Sequence, residues 1–441
     1  MHHIALDICI CANEEEYSLK EKGILNKIQT SHFGILMFGL YYFTLWLDLS
    51  TINHNFPKVV LLIKLLRYIC YLYFIFIIFN RIIKLDISEY MNKIKLFNLK
   101  QWVLFVLALF AVISIVINFV LTKNKTMIFL LLALCYAACF DFDTIIDSVT
   151  NMQFIVMVLF ITLCSFGIMF DYVNLRTDGT VRHSLGFGYP TYLAQLVLFY
   201  ILHASYRRDF KVDFKEIGIS QLLVLFVYFV TNSRTEFLVS ELIVLCLILN
   251  RFGIANKIGM IINVIKRLFA SLFILYPIGS FVIVNTFGYV FNYVNVNNLL
   301  FKVFSKLNSV LSNRLYQTFY NFKRSGYSLF GSNIDLVGYS LDNANEYSIV
   351  RSNFIDNEYM RILFENGWIL FISFFIILAV VIWYLYKNKK DGLLFIAFIT
   401  TTFSLLNPRI TSITFSIFCF VIIPVLHDLL FNKESGGHLD E

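Results

Sequence analysis

The chain reads as an all-α, polytopic integral membrane protein of about twelve transmembrane helices, with one long extracytoplasmic loop between spans 9 and 10. Three observations predict this. Of 441 residues, 59% are hydrophobic and 15% charged, where soluble domains carry nearer a quarter, and mean hydropathy is +0.73. Apolar runs of about 20 residues recur, the length needed to cross a bilayer, and backbone in lipid must satisfy its hydrogen bonds within a helix. Finally, one long polar interval, residues 288–366, interrupts these runs. Loops beyond about 15 residues are uncommon unless functional or disordered. This one holds too many aromatic and aliphatic residues for a disordered linker, so a water-side activity belongs there.

The elements follow in order. A polar N-terminal segment, 1–33, precedes spans at about 34–47, 59–79, 102–121, 127–140, 154–170, 190–206, 217–230, 237–249 and 268–287. After the loop come 368–386, 393–406 and 413–430 (the block 367–430), then a tail, 431–441. Inside the loop, Leu300, Phe304, Leu307, Leu311, Leu315 and Phe319 recur every three or four residues. That spacing predicts one amphipathic helix over 299–322, lying on the membrane surface or capping the bundle, and Ser325-Gly326 ends it.

Basic residues orient the spans. With a cytoplasmic N-terminus, the inside segments hold 20 Lys and Arg, the short outside loops 7 and the long loop 7. Long loops translocate largely regardless of charge, so both termini are expected in the cytoplasm. The connector 141–153 carries no positive charge and gives no help. Glu14, Glu15 and Glu16 follow only a weak apolar stretch, so the first spans are expected to act as uncleaved signals. The net charge of +7 reads as loop charge rather than a nucleic-acid patch. All eight cysteines lie outside the long loop, implying no disulfide framework. Cys9-Ile10-Cys11 beside His2-His3 fits no structural zinc spacing.

Three outward segments present arginine: Arg176 and Arg182 in the loop before span 6, Arg234 in a tight turn, and Arg314 in the long loop. Arginine grips phosphate bidentately and stays charged, so several converging on one pocket suit a pyrophosphate. Single arginines at helix ends often only meet lipid headgroups. Arg234 stands out because its turn is short enough to be buried between spans, where an idle charge is costly. Asp356 lies about a dozen residues before span 10, placed to accept a proton from an attacking hydroxyl. Asp356-Asn357 equally reads as a helix N-cap. Asp141-Phe142-Asp143 has the form used by metal-dependent sugar-nucleotide enzymes, in a connector too short for a nucleotide fold. Asp48, at the end of span 1, and His183, beside Arg182, are further acid and base candidates. Neither a phosphate-binding glycine loop nor a zinc-protease motif occurs, and no metal or cofactor is expected.

Arg182-His183-Ser184-Leu185-Gly186-Phe187-Gly188-Tyr189-Pro190-Thr191 resembles the Arg-x-Ser-x-Gly loop of bacterial O-antigen and capsular polysaccharide polymerases (the Wzy type). Thr231-Asn232-Ser233-Arg234 resembles their Ser-Arg turn. Asn313-Arg314, Leu329-Phe330-Gly331 and Asp356-Asn357-x-Tyr359 are similar to their long external loop. The resemblance spans roughly residues 154–386 in order and spacing. Tyr189-Pro190-Thr191 departs from the usual His-Pro-Asn, so no role carries over to its flanking positions. O-antigen ligases tend to have His where Asp356 stands, which favours polymerase. The resemblance implies transfer of a growing glycan from polyprenyl pyrophosphate onto the next lipid-linked repeat, without nucleotide or metal. Arg182, Arg234 and Arg314 would bind pyrophosphate, with Arg176 and His183 as further substrate contacts. Asp356 would orient or deprotonate the acceptor, positioned by Asn357 and Tyr359. The implied partners are lipid-linked donor and acceptor, a chain-length regulator and a flippase, in the bacterial cytoplasmic membrane. A ligase is the nearest alternative. A flippase or transporter is less favoured, because charge within the spans is sparse (Lys64, Arg67 and Glu241 being the main exceptions).

Overall fold

The computed structural model describes residues 32–85, 87–175, 179–334, 336 and 354–431. Helices dominate. Those of ten residues or more begin with α1 (32–48), α2 (Pro57–Ile83), α3 (Leu99–Thr122), α4 (Thr126–Ala137) and α5 (Phe142–Ser165). A two-stranded antiparallel hairpin follows, β1 (Val173–Leu175) with β2 (Val181–His183). Next come α6 (Pro190–Tyr206), α7 (Phe214–Thr231), α8 (Arg234–Arg251), α9 (Gly259–Leu272) and α10 (Leu275–Tyr293). The last are α11 (Leu299–Val310), α12 (Arg314–Ser325), α13 (Glu358–Lys387), α14 (Asp391–Phe403) and α15 (Ile422–Phe431). Each expected apolar segment contains a helix. Of these, α2, α3, α5, α7 and α13 are long and apolar enough to cross a membrane, and the pair α9–α10, bent by 62°, makes a sixth. Their outer faces fit that setting: Leu61, Leu65, Leu72, Phe76 and Phe79 of α2 are all exposed, a belt of apolar surface that soluble monomers rarely show.

Local chemistry sets the helix ends. Asn98 and Gln101 form a reciprocal capping box at the start of α3, and Asp213 and Glu216 do the same for α7, each satisfying backbone N–H groups that the first turn leaves open. Pro190 starts α6, where its missing N–H is harmless. Asn357 caps α13, its Oδ1 accepting from Met360 N at 3.0 Å. The cap is therefore Asn357, which leaves the Asp356 carboxylate to other partners.

Two expectations change. The amphipathic stretch 299–322 is two helices, broken where Ser312 (φ 55°) and Asn313 (φ 64°) turn left-handed, a region asparagine tolerates better than most residues. Gly326, at φ 67°, still ends the second helix. Span 10 proper begins where expected, but a further helical stretch precedes it, joined at Gly367 with φ 82° and ψ 176°.

That break is plugged by Leu329-Phe330-Gly331. Trp368 N and Ile369 N donate to Ser328 O and Leu329 O, while Ser332 N donates to Phe364 O. Asn118, buried in α3, donates from Nδ2 to Phe330 O (2.6 Å) and Glu365 O (2.8 Å). Four backbone groups beside the kink (Phe364 O, Glu365 O, Trp368 N and Ile369 N) are thus paired, as apolar surroundings demand. Both glycines are obligatory here. A Cβ on Gly367 would sit 2.3 Å from Gly331 N, and one on Gly331 would sit 2.1 Å from Glu365 O.

Candidate functional site

The hairpin positions the first charge. Side chains alternate across a strand, so Val181 faces out while Arg182 is buried between exposed or half-buried neighbours. Asp171 secures the hairpin base: its Oδ1 accepts from Ser184 N and Leu185 N at 2.9 Å, and its Oδ2 lies 2.6 Å from His183 Nδ1. His183 is therefore committed to Asp171. Arg182 donates from Nε to Thr231 O (2.7 Å) and from Nη2 to Ser233 Oγ (3.0 Å), and its guanidinium lies over the Tyr189 ring at 5.5 Å. This fastens the hairpin to the α7–α8 turn, where Asn232 turns left-handed at φ 46°.

The buried charge of that turn differs from the expected one. Arg234 is exposed on the first turn of α8, whereas Glu236 is only 4% exposed. Glu236 Oε1 accepts from Gln195 Nε2 at 2.9 Å. Gln195, on α6 and fully buried, in turn accepts through Oε1 from Arg409 Nε at 2.8 Å. Arg409 stands in the connection between α14 and α15, its guanidinium 4.2 Å from the centre of the Phe415 ring. One amide thus bridges an arginine and a carboxylate that are 173 positions apart in sequence (409 − 236).

Beside this chain lies an ion pair. Arg314, the first residue of α12, places Nε 2.9 Å from Asp356 Oδ2 and donates from Nη1 to Leu406 O at 2.6 Å. Burial pushes the Asp356 carboxyl above the ordinary aspartate range. Arg314 and then Arg409 pull it back, and the negative charge of Glu236 adds to the rise. Asn357 donates from Nδ2 to Ser280 Oγ and Leu405 O, and Glu358 N donates to Ser404 O. These bonds hold the start of α13 against α10 and the α14–α15 connection. Tyr359 is fully buried with its hydroxyl on Thr401 O at 2.8 Å, so it fastens the first turn of α13 to α14 and faces no open space. Glu358 accepts from Thr411 through Oε1, while its buried Oε2 has no hydrogen-bond partner among the described residues. Arg361 pairs with Glu365 at 3.0 Å.

The structure therefore pairs Arg314 with Asp356 from the sequence-selected set and links Arg182 to them through Tyr189, which lies under the Arg182 guanidinium and feels the charges of both Arg182 and Asp356, with Asn357 and Tyr359 as scaffold. Arg176 lies outside the described residues. Sequence reasoning missed Glu236, Gln195 and Arg409. Arg409 carried a readable signal, a lone charge after Asn407-Pro408 between two apolar runs, where intramembrane ionisable residues are functional by default. Gln195 carried none. Asp48 pairs with Arg67, and Asp143 lies in the first turn of α5. Among the described residues, no group of three or more His, Cys, Asp or Glu is placed to hold a metal ion.

Chemically, this is a cluster of guanidinium groups around one partly buried carboxylate with a raised proton affinity. Such a carboxylate binds a proton more tightly than a free aspartate and so suits a general base, and fixed arginines suit an oxyanion that develops beside it. No family model, curated protein or solved structure matches the chain.

Proposed function

We propose that the protein is a polysaccharide repeat-unit polymerase, a metal-independent glycosyltransferase. It moves a growing glycan from polyprenyl pyrophosphate onto the next lipid-linked repeat at the outer face of the bacterial cytoplasmic membrane. In this reading twelve segments span the membrane, both termini are cytoplasmic, and the loop carrying Arg314 and Asp356 faces outward. The observation that carries it is the Arg314–Asp356 pair set among Arg182, Arg409 and Glu236, all drawn to one end of an apolar helix bundle.

The pair couples the two halves of the reaction. The acceptor hydroxyl gives its proton to Asp356 as its oxygen bonds to the anomeric carbon. The bond from that carbon to pyrophosphate breaks, and its electrons move onto the leaving oxygen. Protonation neutralises Asp356 and releases Arg314 from its partner, so Arg314 stabilises the departing pyrophosphate as its charge appears. Before reaction the same salt bridge keeps both charges satisfied, which a partly buried site requires.

The test is the size distribution of surface glycan and lipid-linked precursor in a deletion strain. Single lipid-linked repeats and no ladder are expected. Long lipid-linked chains would instead identify a ligase, and repeats held on the cytoplasmic face a flippase. Either result ends the polymerase reading.

A further inference from the structure

Helices α11 and α12 present contrasting surfaces. α11 exposes Leu299, Leu300, Val303, Leu307 and Val310 together with Lys302 and Lys306, and none of its exposed residues is aromatic. The exposed face of α12 carries Tyr316, Tyr320, Lys323 and Arg324, in which 316, 320 and 323 form one stripe at helical spacing. The two tyrosine rings stack one turn apart, 6.3 Å between centres and 22° from parallel, each nearly half exposed. With Phe291, Asn292 and Phe319 they line an open groove of about 480 Å³. The opposite face of α12 carries Arg314, Thr318 and Asn321, the last two buried. The helix therefore separates the groove from the Arg314–Asp356 pair by about one helix diameter, roughly 10 Å.

The geometry points to this groove as a binding site for an acidic oligosaccharide, held at sugars remote from the reacting carbon. Flat tyrosine faces suit the C–H faces of pyranose rings. Lys323 and Arg324 supply charge for a uronate carboxylate, a charge-assisted contact stronger than a neutral one. This assignment names the substrate class for the polymerase and rests on that reading for the glycan's role as substrate.

A tetramer of galacturonate, with maltotetraose as its neutral counterpart, is titrated against the full chain in nanodiscs of zwitterionic lipid, followed by saturation-transfer NMR. Galacturonate binding is expected, about tenfold or more tighter than maltotetraose, and weakened by a similar factor in Lys323→Ala/Arg324→Ala and in Tyr316→Ala/Tyr320→Ala. In cells these variants are expected to shorten the glycan while still forming the first linkage, which a collapsed fold would not permit. Equal affinity for the two tetramers, or unchanged affinity in both double variants, overturns the assignment. So does loss of wild-type galacturonate binding when phosphatidylglycerol replaces the zwitterionic lipid, which would make the groove a headgroup contact. The two readings fail separately. Normal chain lengths in the groove variants, beside single repeats in the deletion strain, sink the groove and leave the polymerase. Variant-sensitive galacturonate binding without accumulation of single repeats sinks the polymerase and leaves the groove.

Discussion

Two aspartate–arginine pairs stand at the ends of apolar helices, and they differ in what surrounds them. Arg67 is spent on its own neighbourhood: Nη1 on Asp48, Nε on Thr44 Oγ1 and Nη2 on Thr44 O. These partners both lie on α1, the helix that precedes α2 in the chain. Asp356, at 24% exposed, is more buried than Asp48 at 38%, and Arg409, Glu236 and Arg361 all act on it electrostatically. With Arg314 and Asp356 these residues come from four separate parts of the chain. A salt bridge alone fastens two helices together. A salt bridge held in a field of further charges can be tuned, and a reaction can open it.

The largest effect should therefore separate the two aspartates. Asp356→Asn retains shape and removes the proton acceptor, so polymer formation should fall roughly 100-fold or more, within the range for loss of a general base. Arg314→Ala should lose a similar factor by leaving the pyrophosphate charge unanswered. Glycan ladders, with membrane yield as the control for insertion, measure both. Ladders of normal length from either variant would remove Asp356 and Arg314 from the reaction.

Smaller changes should move the pH dependence. Asp356 works ionised, and its folded pKa lies above the ordinary value, so activity should rise with pH through a limb above that of a free aspartate. Glu236 raises this pKa and Arg409 lowers it. Glu236→Gln should thus move the acid limb down, and Arg409→Gln should move it up. Stability runs the other way. A carboxyl with a raised folded pKa gives its full contribution below the unfolded value, about 3.9, and loses it as pH rises through the folded one. Initial rates across pH in both variants check the signs. Shifts in the same direction would mean that the two charges act only through packing.

The helices were legible because hydropathy is a local property: each apolar segment, read alone, announces itself. Much of the site was not, because it depends on where helix ends meet. Arg182 was visible as an arginine, but its three-residue strand was too short to show a periodicity. Gln195 is an uncharged residue within α6 whose importance exists only once Arg409 and Glu236 arrive on either side of it. The break at Ser312 and Asn313 was hidden because the apolar spacing of Leu300 to Phe319 continues through it. Leu329-Phe330-Gly331 was legible as a motif. Its work as a plug for the Gly367 kink was not, since that requires two distant glycines to touch.

The smallest expected effect tests the lesson most directly. Asp48→Asn leaves the Thr44 contacts of Arg67 intact and keeps an oxygen where the carboxylate stood. Asp48 is more than a third exposed, so the pair contributes as surface pairs do, about 1 kcal/mol or less. The variant should melt within a few degrees of the native protein in detergent and produce an unchanged glycan ladder. If Asp48→Asn instead abolishes the ladder as completely as Asp356→Asn, an isolated pair is enough for function. Convergence of charge would then no longer mark the site, and Asp48 would have to be placed beside Asp356 in the reaction.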